Sequence, residues 1–444
     1  MIPLLRPGRL IALVLAAAAI IVPGLSPASC SGFCPDPIVA ADGTAVSDRF
    51  WFFHRELGRE GTITVRLAAM TGTITYPPPR HDRIVSGLVP WAKTGIIVKD
   101  GLRQGSSYAA LMMTGRHGIR FQHDYLHDAA VPGTARWLRL ARSGDVITGY
   151  TSADGARWDR AASATLKGLP ETVRVGLFAA SPGDLTLRET GLGGTIEEVR
   201  FTQAVGVFDH VTVEGSAGGW GSDSVGSMNE TDWEKHHNAS GVVEKDGTVT
   251  ISGTGDIGPL PEEGARAIES SLVGLPVALL ILTVMGARSA TARVSVVGAA
   301  TFVTGLLAVG TVILAQSPVS PPTAARVIVG CALALALCTV IACRLGRFRL
   351  AGVLAAVFLI PLPAVLTAFP LLPDVVADWL LRVTPAAGFA IKQTLVEYPQ
   401  VTAHYAPSTG YYPLPGWAGM AVLGAYALIV MLRRDEYSSP DRSA

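Results

Sequence analysis

Stretches free of Asp, Glu, Lys, Arg and His recur in the C-terminal part of the chain, at residues 271–287, 294–315, 327–343, 350–373 and 415–432. Their length and purity predict transmembrane helices rather than buried core helices. A further apolar run, Leu10 to Leu25, follows Arg6 and Arg9. At 1.5 Å per residue it would span about 24 Å, short of a bilayer core of about 30 Å. It reads as an uncleaved anchor or, with small residues at Ser26 and Ala28, as a cleaved signal peptide. Lipid attachment at Cys30 is a weaker third reading, because Pro27 stands where such sites usually have Leu. All three readings carry the following chain out of the cytoplasm.

Between these regions the pattern changes to a period of two. Short alternating runs occur at 62–68, 94–98, 108–113, 119–125, 137–141, 146–151, 173–178 and 207–213, separated by Gly, Pro, Asp and Ser. This predicts an antiparallel β-sandwich. Arg142-Ser143-Gly144-Asp145 closes one hairpin, and Asp154-Gly155 supplies the positive φ of another. Residues 183–205 and 215–241 are Gly-rich and are expected to be irregular, with a last hairpin from Val242 to Ser252 around Asp246-Gly247.

The fold class expected is therefore an α-helical membrane protein of six spans with an inserted all-β extracytoplasmic sandwich. The divisions are a first span or signal anchor (1–29), the sandwich (30–214), a Gly-rich linker with a hairpin (215–268), five further spans (269–434) and a tail (435–444). With the sandwich outside, Arg6, Arg9, Arg288, Arg293, Arg344, Arg347, Arg349, Arg433, Arg434 and Arg442 fall inside. Only Arg326, Arg382 and Lys392 fall in the external loops between spans, as the positive-inside rule requires. Both termini are then cytoplasmic and residues 30–268 extracytoplasmic, in a multi-pass protein of the cell membrane. The external loop 370–414 carries an apolar stretch, Val375 to Val383, that contains Asp378, Trp379 and Arg382 and is expected to lie along the membrane surface. Tyr398, Tyr405, Tyr411, Tyr412 and Trp417 would form an aromatic belt before the last span.

Composition sharpens the picture. The 444 residues are 49% hydrophobic and only 16% charged, and the mean hydropathy is +0.38. The net charge of +1 excludes nucleic acid as a partner held by bulk charge. Five cysteines are too few for a disulfide scaffold, although Cys30 and Cys34 could pair outside the membrane. Cys331, Cys338 and Cys343 read as packing thiols within one span.

Candidate chemistry is sparse. His117, His123 and His127, beside Asp124 and Asp128, are spaced so that a metal could be gathered, His123 and His127 being the nearest candidates. A strand histidine next to a polar turn explains the same residues, and no metal is expected. Trp91, Trp137 and Trp158, with Trp51, could stack on sugar rings, although a tryptophan in a sandwich more often packs in the core. No pair of carboxylates has the alternating spacing that would place a glycosidase acid and nucleophile on one face. G-x-S-x-G, H-E-x-x-H and the Walker G-x-x-x-x-G-K-[ST] pattern are absent. An enzyme is not expected, and no residue is assigned as catalytic. The predicted spans hold no ionisable group for ion coupling, so energy for any transport must come from another subunit.

Two groups of segments bear a family resemblance. WAKTGIIVKDGLRQGSSYAALMMTGRHGIRFQHDY (91–125), RWLRLARSGDVITGYTSADGARW (136–158) and TVRVGLFAAS (172–181) resemble concanavalin A-like lectin/glucanase domains, which are jelly rolls. WLLRVTPAAGFAIKQTLVEYPQ (379–400) and GYYPLPGWAGMAVLGAYA (410–427) resemble the C-terminal end of actinobacterial ABC transporter permease subunits. The resemblance implies an exporter-type permease, working as a homo- or heterodimer with a separate ABC-type ATPase that holds the ATP and Mg. The external mouth of its route would be shaped by Asp378, Trp379, Arg382, Thr384, Pro385, Gly388 and Phe389. The sequence departs from that family in the loop GARSATAR (286–293), much shorter than the helical cytoplasmic loop usual there. The alternative is a non-transporting, membrane-anchored surface protein whose sandwich binds envelope glycan or a protein partner.

Overall fold

The computed structural model describes residues 6–26, 38–76, 83–226, 239–261, 268–289, 293–316 and 319–432. Cys30, Cys34, the tail 435–444 and part of the loop 286–293 lie outside the described residues.

Two long strands, Phe50–Thr75 and Gly194–Val225, pair antiparallel along most of their length and form the spine of the β-structure. On its other edge the first of these changes neighbour midway. Residues 51–57 pair with Val173–Ala180, and residues 60–66 pair with Trp137–Ser143. From the first junction the sheet continues through Lys93–Lys99, Tyr108–Thr114, Ile119–His123 and His127–Val131. From the second it continues through Val146–Ser152 and Asp159–Thr165. The two wings fold face to face. Ile96, Val98, Leu111 and Phe121 of one meet Leu138, Leu140 and Ile147 of the other in a single core.

The change of neighbour needs a local device, and Arg142 supplies it. Its buried guanidinium donates to the carbonyls of Gly58 (3.0 Å), Gly144 (2.9 Å) and Pro170 (2.6 Å), and more distantly to Leu57 and Glu171. Carbonyls that leave the ladder at the bend are thus satisfied by one cation. Gly61 helps sterically, since a Cβ there would lie 2.5 Å from the Glu214 carbonyl oxygen.

Lys93–Lys99 is buried at every position, which alternation alone does not predict. The reason is a second cover. A small sheet of Ile38–Val39, Ala45–Asp48 and Ile257–Pro259 packs on the back of this wing. Lys99 Nζ donates to Asp48 Oδ2 (2.7 Å) and to the Ser106 carbonyl (3.0 Å), and Tyr125 Oη donates to the same carboxylate at 2.7 Å. Lys93 Nζ pairs with Asp256 and reaches the Ile257 carbonyl at 2.7 Å. Each lysine therefore ties one strand of the small sheet to the wing.

The Gly-rich stretches expected to be irregular are largely strand. Asp184–Thr190 and residues 194–200 form a hairpin, and 201–225 continue in the spine. The hairpin Gly241–Lys245/Thr248–Gly253 does rejoin the sheet, pairing with 204–208. Arg66 and Asp209 join the two spine strands across the ladder, with Arg66 Nε donating to Asp209 Oδ1 at 2.7 Å. Hydrogen bonds from this guanidinium hold the Asp209 carboxyl down at about 2. A depressed carboxylate stabilises the fold above its unfolded pKa of about 3.9 and loses that contribution as pH falls toward the folded value. Asp209→Asn is expected to flatten the pH dependence of unfolding between about 4 and 2, as followed by circular dichroism.

The helices form a bundle around one apolar core. Among the described residues, Pro7–Leu25, Val294–Ala315 and the stretch Pro321–Thr367 are long and apolar enough to cross a membrane. Leu275–Ala287 and Gly416–Leu432 are apolar but shorter. The expected span at 350–373 is broken into Arg349–Leu359 and Pro361–Thr367. Ile360 keeps helical-region dihedrals, and the ladder breaks after it because Pro361 and Pro363 have no N–H to donate and their rings crowd the preceding turn. Arg9 Nε donates to Ser289 Oγ (3.0 Å), and Gly346 abuts Ala287. These contacts gather Arg6, Arg9, Arg288, Arg344, Arg347 and Arg349 at one end of the bundle. The sandwich sits at the other.

Candidate functional site

The residues predicted for an external mouth fall into two parts. Asp374–Val383 is an amphipathic helix with Ala377 and Leu381 buried and Val375, Val376, Trp379 and Val383 exposed. Arg382 lies over the Trp379 ring, 5.5 Å from its centroid. Asp378 faces partly inward, and burial pushes its carboxyl above the usual range. The chain then turns at Thr384, whose Oγ1 donates to the Leu380 carbonyl (2.7 Å), and dives as a 3₁₀ segment, Pro385–Lys392. In that segment Pro385, Ala386, Ala387, Gly388, Phe389, Ala390 and Lys392 are all buried.

Three glycines make room for the dive. A Cβ on Gly419 would stand 2.0 Å from the Ala387 carbonyl oxygen, one on Gly416 2.9 Å from the Ile391 Cα, and one on Gly330 2.4 Å from the Ile391 side chain. Small residues on Pro321–Leu345 and Gly416–Leu432 thus let the 3₁₀ segment sit between two apolar helices.

Beside this segment lies a cavity of about 460 Å³, within the ~300–1,000 Å³ usual for small-molecule sites. Its walls come from 272–279, from 364–369, from Leu381 and Phe389, and from 407–412. The lining is predominantly apolar. Lys392, only 8% exposed, is its single charged side chain. The ammonium lies 5.5 Å from the centroid of the Tyr412 ring. Among the described residues no carboxylate pairs with it. In sequence Lys392 reads only as a loop charge, although it is the one lysine after Lys245, and that rarity is the signal that singles it out.

The sandwich is fastened to the bundle near this cavity. Thr195 Oγ1 donates to Asp374 Oδ2 (2.8 Å), which also bonds His404 Nε2 (2.9 Å). The His404 backbone N–H donates to Glu197 Oε1 (3.2 Å), Thr190 Oγ1 to the Pro370 carbonyl (3.0 Å), and Gln400 Nε2 to the Leu126 carbonyl (3.3 Å). Asp374→Ala removes the acceptor shared by strand and loop. A net loss of about 1–2 kcal/mol at this contact is expected, read as faster amide exchange in 184–200 with the rest of the sandwich unchanged.

The three tryptophans are not brought together. Trp91 is buried, stacked on His117 at 3.9 Å between centroids, with Arg120 above it. Trp137 and Trp158 meet at the 152–158 turn, where a Cβ on Gly155 would touch the Trp137 ring and the Trp158 Nε1–H donates to the Gly155 carbonyl (3.2 Å). The Arg139 guanidinium covers Trp158 at 3.9 Å. A different aromatic cleft, of about 350 Å³, is formed by Phe53, Trp220 and the turn 244–249, with Trp220 stacked on Phe53 at 4.5 Å. His123 and His127 stack ring on ring at 4.3 Å across their hairpin rather than converging on one point. Among the described residues no three His, Cys, Asp or Glu side chains could hold a metal. Cys331, Cys338 and Cys343 are buried free thiols in one helix.

No family model matches this chain, and no curated protein does. Among solved structures it is similar to a functionally unknown protein from Saccharomyces cerevisiae, at 14% identity and a TM-score of 0.19, over 37% of this chain and 74% of that one.

Proposed function

We propose that the chain is the permease subunit of an ABC transporter of the exporter type, moving its substrate across the cytoplasmic membrane with energy from a separate ATPase. The observation that carries this reading is the buried segment Pro385–Lys392 between the apolar helices Pro321–Leu345 and Gly416–Leu432. Backbone that leaves the α-helical ladder at membrane depth is tolerated where protein buries it or it lines a cavity, and broken elements of this kind line transport routes. Six spans follow if Pro7–Leu25, Leu275–Ala287, Val294–Ala315, Pro321–Leu345, residues 349–367 and Gly416–Leu432 each cross. Exposed Leu10, Ile11, Val14, Leu307, Leu314, Phe358 and Leu432 support a lipid surround, because that much apolar surface is costly in water.

In this reading the arginine-rich end faces the cytoplasm and meets the ATPase, and both termini lie there. The sandwich is an extracytoplasmic accessory, docked through Asp374 and His404 onto the loop that shapes the outer mouth. Its lectin-like character makes envelope glycan or protein its natural contact. ATP hydrolysis in the partner would tilt the helices against the buried segment, and a second permease subunit would complete the route. The test is purification of the tagged chain from its native membrane in mild detergent, with mass spectrometry of what accompanies it. A stoichiometric P-loop ATPase is expected. Repeated absence of one, with the chain intact and dimeric, would replace this reading by that of a membrane-anchored binding protein.

A further inference from the structure

We infer that the cavity around Lys392 is a binding site for a single-chain anionic amphiphile, an acyl or alkyl body ending in a carboxylate or phosphate. Three observations converge on that chemistry.

The first is the charge. Lys392 is a buried residue whose ammonium still reaches the cavity, and a lysine so placed ordinarily has a carboxylate or several acceptors beside it, because an ammonium held away from bulk water without an anion is costly. Here the described surroundings offer the Tyr412 ring face and no anion. Ring contact alone is worth about 0.5–2 kcal/mol, less than a charge-assisted pair with an oxyanion supplies. The second is the lining. Leu279, Val365, Leu381 and Phe389 present hydrocarbon to the remainder of the space, while Ser408 and Thr409 belong to the wall that also holds Tyr412. A ligand with one anionic end and an apolar remainder satisfies both; a free inorganic anion would leave the apolar walls unfilled. The third is access. Val273, Val277 and Phe369 line the cavity and are also among the exposed apolar side chains, at 57%, 53% and 53%. The opening therefore faces the surface where lipid would lie, at the bundle end nearest the sandwich.

This inference needs the helices to lie in a bilayer and does not depend on coupling to an ATPase, so its failure and that of the transport reading are separable. Where both hold, the amphiphile is the class of substrate to try first.

The full chain in nanodiscs of neutral phosphatidylcholine would be titrated with radiolabelled dodecanoate and, separately, dodecyl phosphate, with empty discs as the partition baseline. A saturable component of one probe per chain is expected. Its affinity should drop at least tenfold in Lys392→Met and be largely kept in Lys392→Arg. Leu279→Trp, which fills the space, should abolish it. Unlabelled dodecanol should compete at least tenfold less well than dodecanoate, a comparison made on the unaltered chain and so independent of how any variant folds. The relative affinities of the two probes distinguish a carboxylate from a phosphate headgroup. No saturable component, equal binding by Lys392→Met, or equal competition by dodecanol would each overturn the assignment.

Discussion

Lys99→Met is expected to destabilise the sandwich by about 3–5 kcal/mol, the usual result of removing one member of a buried ion pair. Both Lys99 and Asp48 are fully buried, and the carboxylate has three donors: the ammonium, the Tyr125 hydroxyl and the Gly105 N–H at 2.8 Å. Without the lysine a buried negative charge keeps only two neutral partners. The small sheet should loosen first, because Asp48 ends one of its strands. Denaturant unfolding of the full chain in detergent, followed by near-UV circular dichroism, measures the loss. Asp48→Asn separates charge from packing. Burial already draws the Lys99 ammonium below its ordinary value, and the Asp48 carboxylate opposes that. Removing the counter-charge should lower it further. A lysine depressed in the fold is neutral there while still protonated unfolded, so stability rises with pH between the two values. Asp48→Asn should therefore recover part of its lost stability as pH climbs toward about 10, and a pH-independent deficit would contradict the charge argument.

Period-two runs read from the sequence fall on strands: 94–98, 108–113, 137–141, 146–151 and 173–178 all lie within them. Side-chain alternation along a strand is a local property, so it survives without knowledge of partners. The two-sided burial of Lys93–Lys99 is not local. It depends on strands from residues 38–48 and 257–259 arriving on the far face, and two lysines in a strand read as exposed until their acids are located. Apart from the run 207–213, the spine strand 194–225 is hidden in the sequence because its glycines suggest irregularity. Two of them, Gly215 and Gly218, instead sit at positive φ where the pairing slips, which is how bulges use glycine.

The helical part shows the same division. Apolar runs are a composition signal, and the helices at 275–287, 294–316, 321–345 and 416–432 follow it. Proline chemistry explains the break at Ile360. The mouth residues 378–389 are legible as an unusual loop, but their split into an exposed helix and a buried segment depends on Gly330, Gly416 and Gly419, far apart in sequence. Lys392 is visible as a loop charge, and only the packing shows that no acid among the described residues stands opposite it.

Gly419→Leu is expected to damage the bundle at the buried segment. Its Cβ would fall 2.0 Å from the Ala387 carbonyl oxygen and 2.9 Å from the carbonyl carbon. Backbone on both sides must move, which no rotamer change can avoid. Overpacking of this kind typically costs about 1–3 kcal/mol, and here relief is available only by expelling Pro385–Lys392 from between its helices. The measurable sign is exposure. Ala390 is fully buried, so the thiol introduced by Ala390→Cys should resist a membrane-impermeant maleimide in the parent chain. In the Gly419→Leu background it should react, with the labelled site located by mass spectrometry. Gly424 lies on the same helix with nothing within 4 Å of its would-be Cβ. Gly424→Ala should leave the introduced thiol protected and raise thermal stability by up to about 1 kcal/mol, the ordinary gain of alanine over glycine within a helix. Equal labelling in the two backgrounds would mean that the segment is not wedged where these contacts put it, and the transport reading would lose the feature it rests on.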